Sequence, residues 1–176
     1  VPVDSEHFSI WYSLNNNNHL IKKIFLTASG GPFLNLPKKM FKKIKIKDAL
    51  KHPNWKMGQK ISVDSSTMIN KVFEIIEAKK IFSVRYDQIS ILIHPESYIH
   101  SILEFGNGLI KLIAHNTNMM IPIYNSIFES KKKLNFYNKD VEINKLNNLK
   151  LQNVNISKFP VVKILDNLPK NDSLFE

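Results

Sequence analysis

The chain predicts an α+β fold: a small, largely antiparallel sheet covered by helices, then an extended linker and one orphan helix. Three observations carry this. The stretch 22–33, "KKIFLTASGGPF", starts apolar and β-favouring and breaks at Gly30-Gly31-Pro32, as a buried strand ending in a tight turn does. Gly106-Asn107-Gly108 is a hairpin signal that folds "LIKLIAH" back antiparallel on the segment before it. Between them, Met68, Ile69, Val72, Phe73, Ile75 and Ile76 recur at the three-to-four spacing of an amphipathic helix.

Taken in order, Asp4-Ser5-Glu6 begins either an extended segment or the acidic, capped start of a helix through "EHFSIWYSL". Residues 38–51, "KKMFKKIKIKDALK", mix basic and apolar residues at no single period and predict a loop with a short helix, halted by His52-Pro53. From Asp64, hydroxyl and acid residues suited to an N-cap precede the apolar stripe, so a helix is predicted from there to about Phe82. "QISILIHPESYIHSILEF", 88–105, reads as a strand, a Pro-containing kink and a second β-rich segment. Residues 129–157 are Asn- and Lys-rich with weak alternation and predict a linker. The apolar residues of 158–176 predict a helix without a partner to pack on. The expected division is 1–128, 129–157 and 158–176.

With 176 residues, 43% of them apolar, the chain can form one well-cored domain plus a tail. No apolar run approaches the roughly 18 residues of a membrane span, and "VPVDSEHFSI" lacks the features of a signal peptide, which predicts a soluble, cytoplasmic protein with no membrane partner. The absence of cysteine excludes disulfides and thiolate metal sites, so any metal must be held by oxygen or imidazole. The formal charge of +10 is concentrated in 38–51 and Lys131–Lys133. Nucleic acid is nonetheless disfavoured as a partner. Arg85 is the sole arginine, and arginine is the residue that reads phosphate and guanine bidentately.

Several groupings could carry chemistry. Asp4 and Glu6 together suit a hard divalent cation, or they simply favour a helix N-terminus. Asn70, Lys71 and Glu74 lie three and four residues apart on one polar helix face, where an ordinary ion pair is the plainer alternative. The hydroxyls around Ser65 at the expected start of that helix add a possible anion cradle. Ser29-Gly30-Gly31 is a second anion-friendly turn, too short for a Walker loop. His52, Trp55 and Met57 sit in an aperiodic stretch containing Pro53 and Gly58, the pattern of a mobile lid or of a loop anchored by its tryptophan. His94 and His100 lack the spacing of a zinc helix.

Together these stretches resemble the 1-deoxy-D-xylulose 5-phosphate reductoisomerases. "PVDSEH", "SGGPF", "HPNWKMGQKISVDSSTMINK", "IEA", "IHPESYIHS" and "NMMIPI" are similar to that family's motifs in order and spacing over residues 1–128. The resemblance covers the family's central catalytic domain, the linker and the first helix of its C-terminal domain, without the N-terminal NADPH-binding domain. It implies Mg²⁺ or Mn²⁺ at Asp4, Glu6 and Glu74, substrate phosphate at Ser29, Ser65, Asn70 and Lys71, and substrate contacts from Ser5, Ser97 and His100. His52, Trp55 and Met57 would form the lid. The implied activity is retro-aldol cleavage and re-aldol joining of a phosphosugar, 1-deoxy-D-xylulose 5-phosphate, then reduction by NADPH to 2-C-methyl-D-erythritol 4-phosphate, in a homodimer joined through the sheet. A divergent, inactive phosphosugar-binding module is the alternative. The sequence departs from the family pattern at Val72, Phe73 and Thr117-Asn118, so crowding is expected near Glu74 and altered hydrogen bonding near 115–122.

Overall fold

A computed structural model describes residues 1–15, 19–128 and 143–169. Helix α1 (Ser5–Leu14) leads into β1 (Ile21–Ala28); a 3-10 segment at Lys38–Lys43 and the short α2 (Ile46–Ala49) follow. Then come α3 (Gln59–Thr67), α4 (Ile69–Phe82), β2 (Ile89–Ile93), β3 (Ile99–Phe105), β4 (Ile110–Ala114) and α5 (Met120–Phe128). Beyond these lie α6 (Ile143–Asn147), β5 (Gln152–Asn153) and a 3-10 helix at Pro160–Asn167. The strands form one sheet in the order β4-β3-β1-β2-β5, antiparallel at every pairing except β1 with β2. The fold is therefore α+β with a largely antiparallel sheet.

Strand alternation sets which face is buried. Ile24 and Leu26 of β1, Ile89, Ile91 and Ile93 of β2, and Leu103 and Phe105 of β3 form the core with Met68, Ile75 and Ala78 from the α4 side and Ile10 from α1. Ile24 pairs with Leu103 and Ile89, so three strands present one continuous apolar surface to the helices.

The expected single helix from Asp64 is two helices. Met68 takes the left-handed conformation, φ 70°, which ends α3 and redirects the chain into α4. Of the hydroxyls read as caps, Ser66 Oγ donates back to Val63 O (2.7 Å) and Thr67 Oγ1 to Asp64 O (3.0 Å) within α3, as Ser62 Oγ does to Gly58 O (3.0 Å). The apolar stripe also differs. Phe73 is exposed, whereas Lys71 and Glu74 are buried with Val72 and Ile75, because α1 contributes side chains over the face expected to be wet. Val72, where crowding was expected, is accommodated as a core side chain.

The 3-10 helix at Pro160–Asn167 is not the partnerless α-helix expected. Phe159 is 3% exposed within the core cluster, with Val161, Val162 and Leu165 packed against it. Within the expected linker, β5 pairs with β2 and His94 Nδ1 bonds Lys150 O at 2.9 Å. Lys131–Lys133, with the rest of 129–142, and 170–176 lie outside the described residues. Phe159→Ala should therefore destabilise the chain by about 3 kcal/mol, the cost of emptying a buried aromatic site. Urea denaturation followed by far-UV circular dichroism measures it; an unchanged midpoint would mean that the segment contributes nothing to the core.

Candidate active site

Helix α1 begins the site. Asp4 is its N-cap, Oδ1 accepting from the backbone N–H of Glu6 (3.1 Å) and His7 (3.2 Å). The two readings of Asp4-Ser5-Glu6 are compatible, since a carboxylate that caps with one oxygen keeps the other for a cation. The extended segment is ruled out. One turn into α1, buried His7 donates Nε2–H to Glu74 O at 2.9 Å, which ties α1 to α4 and brings Glu74 to the capping end of α1. Asp4, Glu6 and Glu74 each offer an oxygen within 4.8 Å of the others.

Lys71 projects into this group. Its Nζ donates to Glu6 Oε1 (2.7 Å) and Glu74 Oε2 (2.6 Å), with side-chain exposures of 7% for Lys71 and 6% for Glu74. Burial alone would raise Glu6, but the Lys71 and His100 charges and the hydrogen bonds from Lys71 and Ser5 together outweigh it and hold that carboxyl at about 2. Burial and the neighbouring Glu6 charge push Glu74 well above its ordinary range, against the pull of Lys71. Burial and Glu6 likewise raise Asp4. One ammonium thus serves one carboxylate fully, and the second is left with the cost of being charged in a dry place. Asn70 Nδ2 supports Glu74 Oε1 at 2.5 Å, and Ser5 Oγ donates to Glu6 Oε2.

The anion-friendly part lies where β1 ends. His52 Nδ1 accepts from the backbone N–H of Trp55 (2.9 Å) and Asn54 (3.2 Å), so the ring proton must be on Nε2, which donates to Ser29 Oγ at 3.0 Å. Ser29 Oγ also accepts from Gly31 N–H at 3.1 Å. With both acceptor positions filled, the Ser29 hydroxyl proton is free to point at an oxyanion. Gly31, φ +64°, passes against α3: an added Cβ would lie 2.9 Å from Ser65 O and 3.0 Å from Ser66 Cα. Only glycine permits that approach, and the approach puts Ser29 beside Ser65.

These groups surround one cavity of about 250 Å³. All the residues nominated from sequence line it: Asp4, Ser5, Glu6, Ser29, His52, Trp55, Met57, Ser65, Asn70, Lys71, Glu74, Ser97 and His100. Ser65 reaches it from the last turn of α3 rather than from a helix N-terminus, and Asn70 and Lys71 come from the first turn of α4. The segment 51–58 has no regular helix or strand, and Asn54 Nδ2 fastens it to the β2–β3 turn through Pro95 O (2.6 Å) and Ser97 Oγ (2.8 Å). Trp55 is half-buried with its ring 6.0 Å from that of His100. Lys56 and Met119 also line the cavity and were missed. A cation next to Trp55 was a usable signal for Lys56, and Met119 lies within the quoted motif "NMMIPI".

Comparison with known proteins places the chain in a family. A family profile described as "1-deoxy-D-xylulose 5-phosphate reductoisomerase C-terminal domain" matches residues 1–82. Over 178 aligned residues the chain is 61% identical to the 1-deoxy-D-xylulose 5-phosphate reductoisomerase of Pelagibacter ubique (strain HTCC1062), covering 100% of this chain and 45% of that protein. The chain belongs to the 1-deoxy-D-xylulose 5-phosphate reductoisomerase family. The family enzyme of Sulfurihydrogenibium sp. (strain YO3AOP1) is 41% identical over 93% of this chain and 44% of its own length. A crystal structure of DOX-P reductoisomerase in complex with NADPH, fosmidomycin and magnesium superposes with a TM-score of 0.85 at 34% identity, over 94% of this chain and 43% of that one. The enzyme from Zymomonas mobilis in complex with NADPH gives 0.81 at 30% identity, over 95% of this chain and 43% of that one. The chain thus spans less than half the length of these relatives.

Two outcomes are expected of the carboxylate group. Because Asp4 and Glu74 are raised, they take up protons at higher pH than ordinary carboxylates do, and a dication bound there would compete with those protons; divalent affinity should fall as pH falls, beginning above the usual carboxylate range, with proton release on binding. Calorimetric titration of Mn²⁺ in buffers of different ionisation enthalpy reads both, and an affinity flat from about pH 5 to pH 8 contradicts it. Gly31→Ala should separate Ser29 from Ser65 and weaken inorganic phosphate binding by about tenfold, measured by ³¹P NMR line broadening, with Mn²⁺ affinity unchanged.

Proposed function

We propose that this chain forms the metal- and substrate-binding part of an enzyme that isomerises 1-deoxy-D-xylulose 5-phosphate and reduces the product with NADPH to 2-C-methyl-D-erythritol 4-phosphate, in non-mevalonate isoprenoid biosynthesis. The observation that carries this reading is the meeting of Asp4, Glu6 and Glu74 in the same cavity as Ser29 and Ser65. A phosphosugar carries an anionic phosphate and a carbonyl with neighbouring hydroxyls. The cavity offers a hydroxyl-and-amide group for the first and a carboxylate group for the second.

Three carboxylates with no sulfur or imidazole fit Mg²⁺ or Mn²⁺, and Asp4, Glu6 and Glu74 would hold the ion. Bound there, it would polarise the substrate's carbonyl oxygen. Lys71 would exchange part of its contact with Glu6 and Glu74 for a substrate oxygen, since the cation takes over the neutralisation it provides. The free hydroxyl proton of Ser29, with Ser65 and Asn70, would grip the phosphate, and that remote binding positions the reacting carbons. Ser5, Ser97 and His100 would line the sugar, with Trp55, His52 and Met57 closing over it to exclude water. NADPH does not fit the residues present: Gly30, Gly31, Gly58, Gly106 and Gly108 form no Gly-x-Gly-x-x-Gly turn, so its pyrophosphate would be held by residues outside this chain.

A homodimer through the sheet is supported by edge strand β4. Leu112 and Ile110, 48% and 59% exposed, continue the face that Phe25 and Ile102 form opposite the helical core. Leu112→Lys should shift the protein from dimer to monomer in sedimentation velocity, and an unchanged dimer would place the interface elsewhere.

The functional test joins this chain to the remaining length of the Pelagibacter ubique relative and follows NADPH oxidation with 1-deoxy-D-xylulose 5-phosphate and Mn²⁺. Turnover is expected, reduced at least about 100-fold by Glu74→Gln. Trp55→Ala should raise KM about tenfold while leaving the thermal midpoint within about 2 °C. Tight phosphosugar binding without turnover would instead identify a binding module.

A further inference from the structure

His115 follows β4 and belongs to none of the groups above, yet it is 8% exposed and its ring lies flat on that of His100, centroids 3.8 Å apart and planes 19° from parallel. The backbone delivers this pair. On β3 the register runs from Ile99 to Ser101 while β4 moves one residue, from Ala114 to Ile113, so His100 is the extra residue of a β-bulge. Bulges re-aim a side chain. His115 N–H donates to Tyr98 O at 2.9 Å, which fixes the start of the loop after β4 against the residue preceding β3.

Two hydrogen bonds then define the rings. His100 Nε2 meets His115 O at 3.1 Å; a carbonyl only accepts, so Nε2 carries the proton and Nδ1 is the acceptor nitrogen. His115 Nδ1 donates to Asn116 O at 2.8 Å, and its Nε2 is buried with no hydrogen-bond partner among the described residues. His115 meets His100 through its flat ring and its carbonyl. Trp55 meets His100 edge-on, 6.0 Å away at 67°. The His100 imidazole thus has ring contacts from both the segment 51–58 and the end of β4.

We infer that His115 is a positioning residue: its carbonyl and its stacked ring hold His100 as the Nε2–H tautomer, with Nδ1 kept as an acceptor for a substrate hydroxyl and the ring kept as a fixed seat for Trp55. The substrate part rests on the phosphosugar reading; the tautomer and the stack do not. Burial, with His115 next to it, lowers His100 to about 4, which agrees with a ring that stays neutral at working pH.

The test compares His115→Phe, which keeps a flat ring, with His115→Leu, which fills the space but cannot stack. In ¹⁵N-labelled chain at neutral pH, long-range ¹H–¹⁵N spectra should show one protonated and one unprotonated nitrogen for His100 in the parent and in His115→Phe. In His115→Leu the two signals should move toward each other, as the ring samples both tautomers. With Trp11→Phe as background, Trp55 fluorescence should change in His115→Leu only. In the joined enzyme, His115→Leu should raise KM for the phosphosugar about tenfold with kcat within about threefold, and His115→Phe should restore KM to within about twofold. His100 spectra unchanged in His115→Leu, or equal losses in both variants, would overturn the positioning role. Altered spectra with an unaltered KM would overturn the substrate contact while leaving the tautomer and the stack standing.

Discussion

Like charge in a dry place is the constraint on which this structure turns. Asp4, Glu6 and Glu74 come from two helices far apart in sequence and meet at the edge of the core, Glu74 buried, Glu6 half-buried and Asp4 reaching solvent. Carboxylates so placed repel each other, and the buried one also loses its hydration. Lys71 offsets part of this by spanning Glu6 and Glu74, and a proton on Glu74 relieves more. A domain selected only for stability would fill that space with apolar side chains. The group persists at a cost that a bound dication would remove.

The rest of the fold serves to hold that arrangement. Helix α4 lies on the sheet through Ile75 and Ala78 and carries Lys71 and Glu74 on the adjoining face, so the core fixes the height of two charged residues above β1. His7 sets the distance between α1 and α4 by bonding a carbonyl of the same residue whose carboxylate joins the site. Left-handed Met68 turns the chain between α3 and α4, which allows Ser65 from the end of one helix and Asn70 from the start of the next to share a cavity. A continuous helix would have spread them along one axis. The backbone cost of that conformation, on the order of 1–2 kcal/mol, is met by the burial of the Met68 side chain.

The segment 51–58 is coupled to the cavity at three points of different chemistry. His52 reaches the Ser29 hydroxyl, Asn54 reaches the β2–β3 turn, and Trp55 rests against His100. None of these is an apolar core contact, so the segment is held by a few polar bonds and one ring edge. Elements with few buried apolar contacts open at low free energy. The cover proposed above would need that property.

Much of this was legible in the amino-acid sequence, for local reasons. Gly30-Gly31-Pro32 is a local breaker that follows β1, Gly106-Asn107-Gly108 closes a hairpin, and the residues that the resemblance implied all line the cavity. Tertiary structure decided what depends on distant neighbours. Whether the Lys71 and Glu74 face is wet or buried is set by α1, some sixty-five residues away, and no period in α4 encodes it. The break at Met68 has no glycine or proline to announce it, and the hydroxyls of Ser66 and Thr67 before it donate backward along α3, Thr67 also accepting from Ile69 N–H at 3.5 Å. The docking of Phe159 and the stacking of His115 on His100 follow from sheet order and from a one-residue bulge. Register and chain crossing are properties of the packed molecule, so a sequence can supply the residues for a site while only the assembled sheet determines which of them meet.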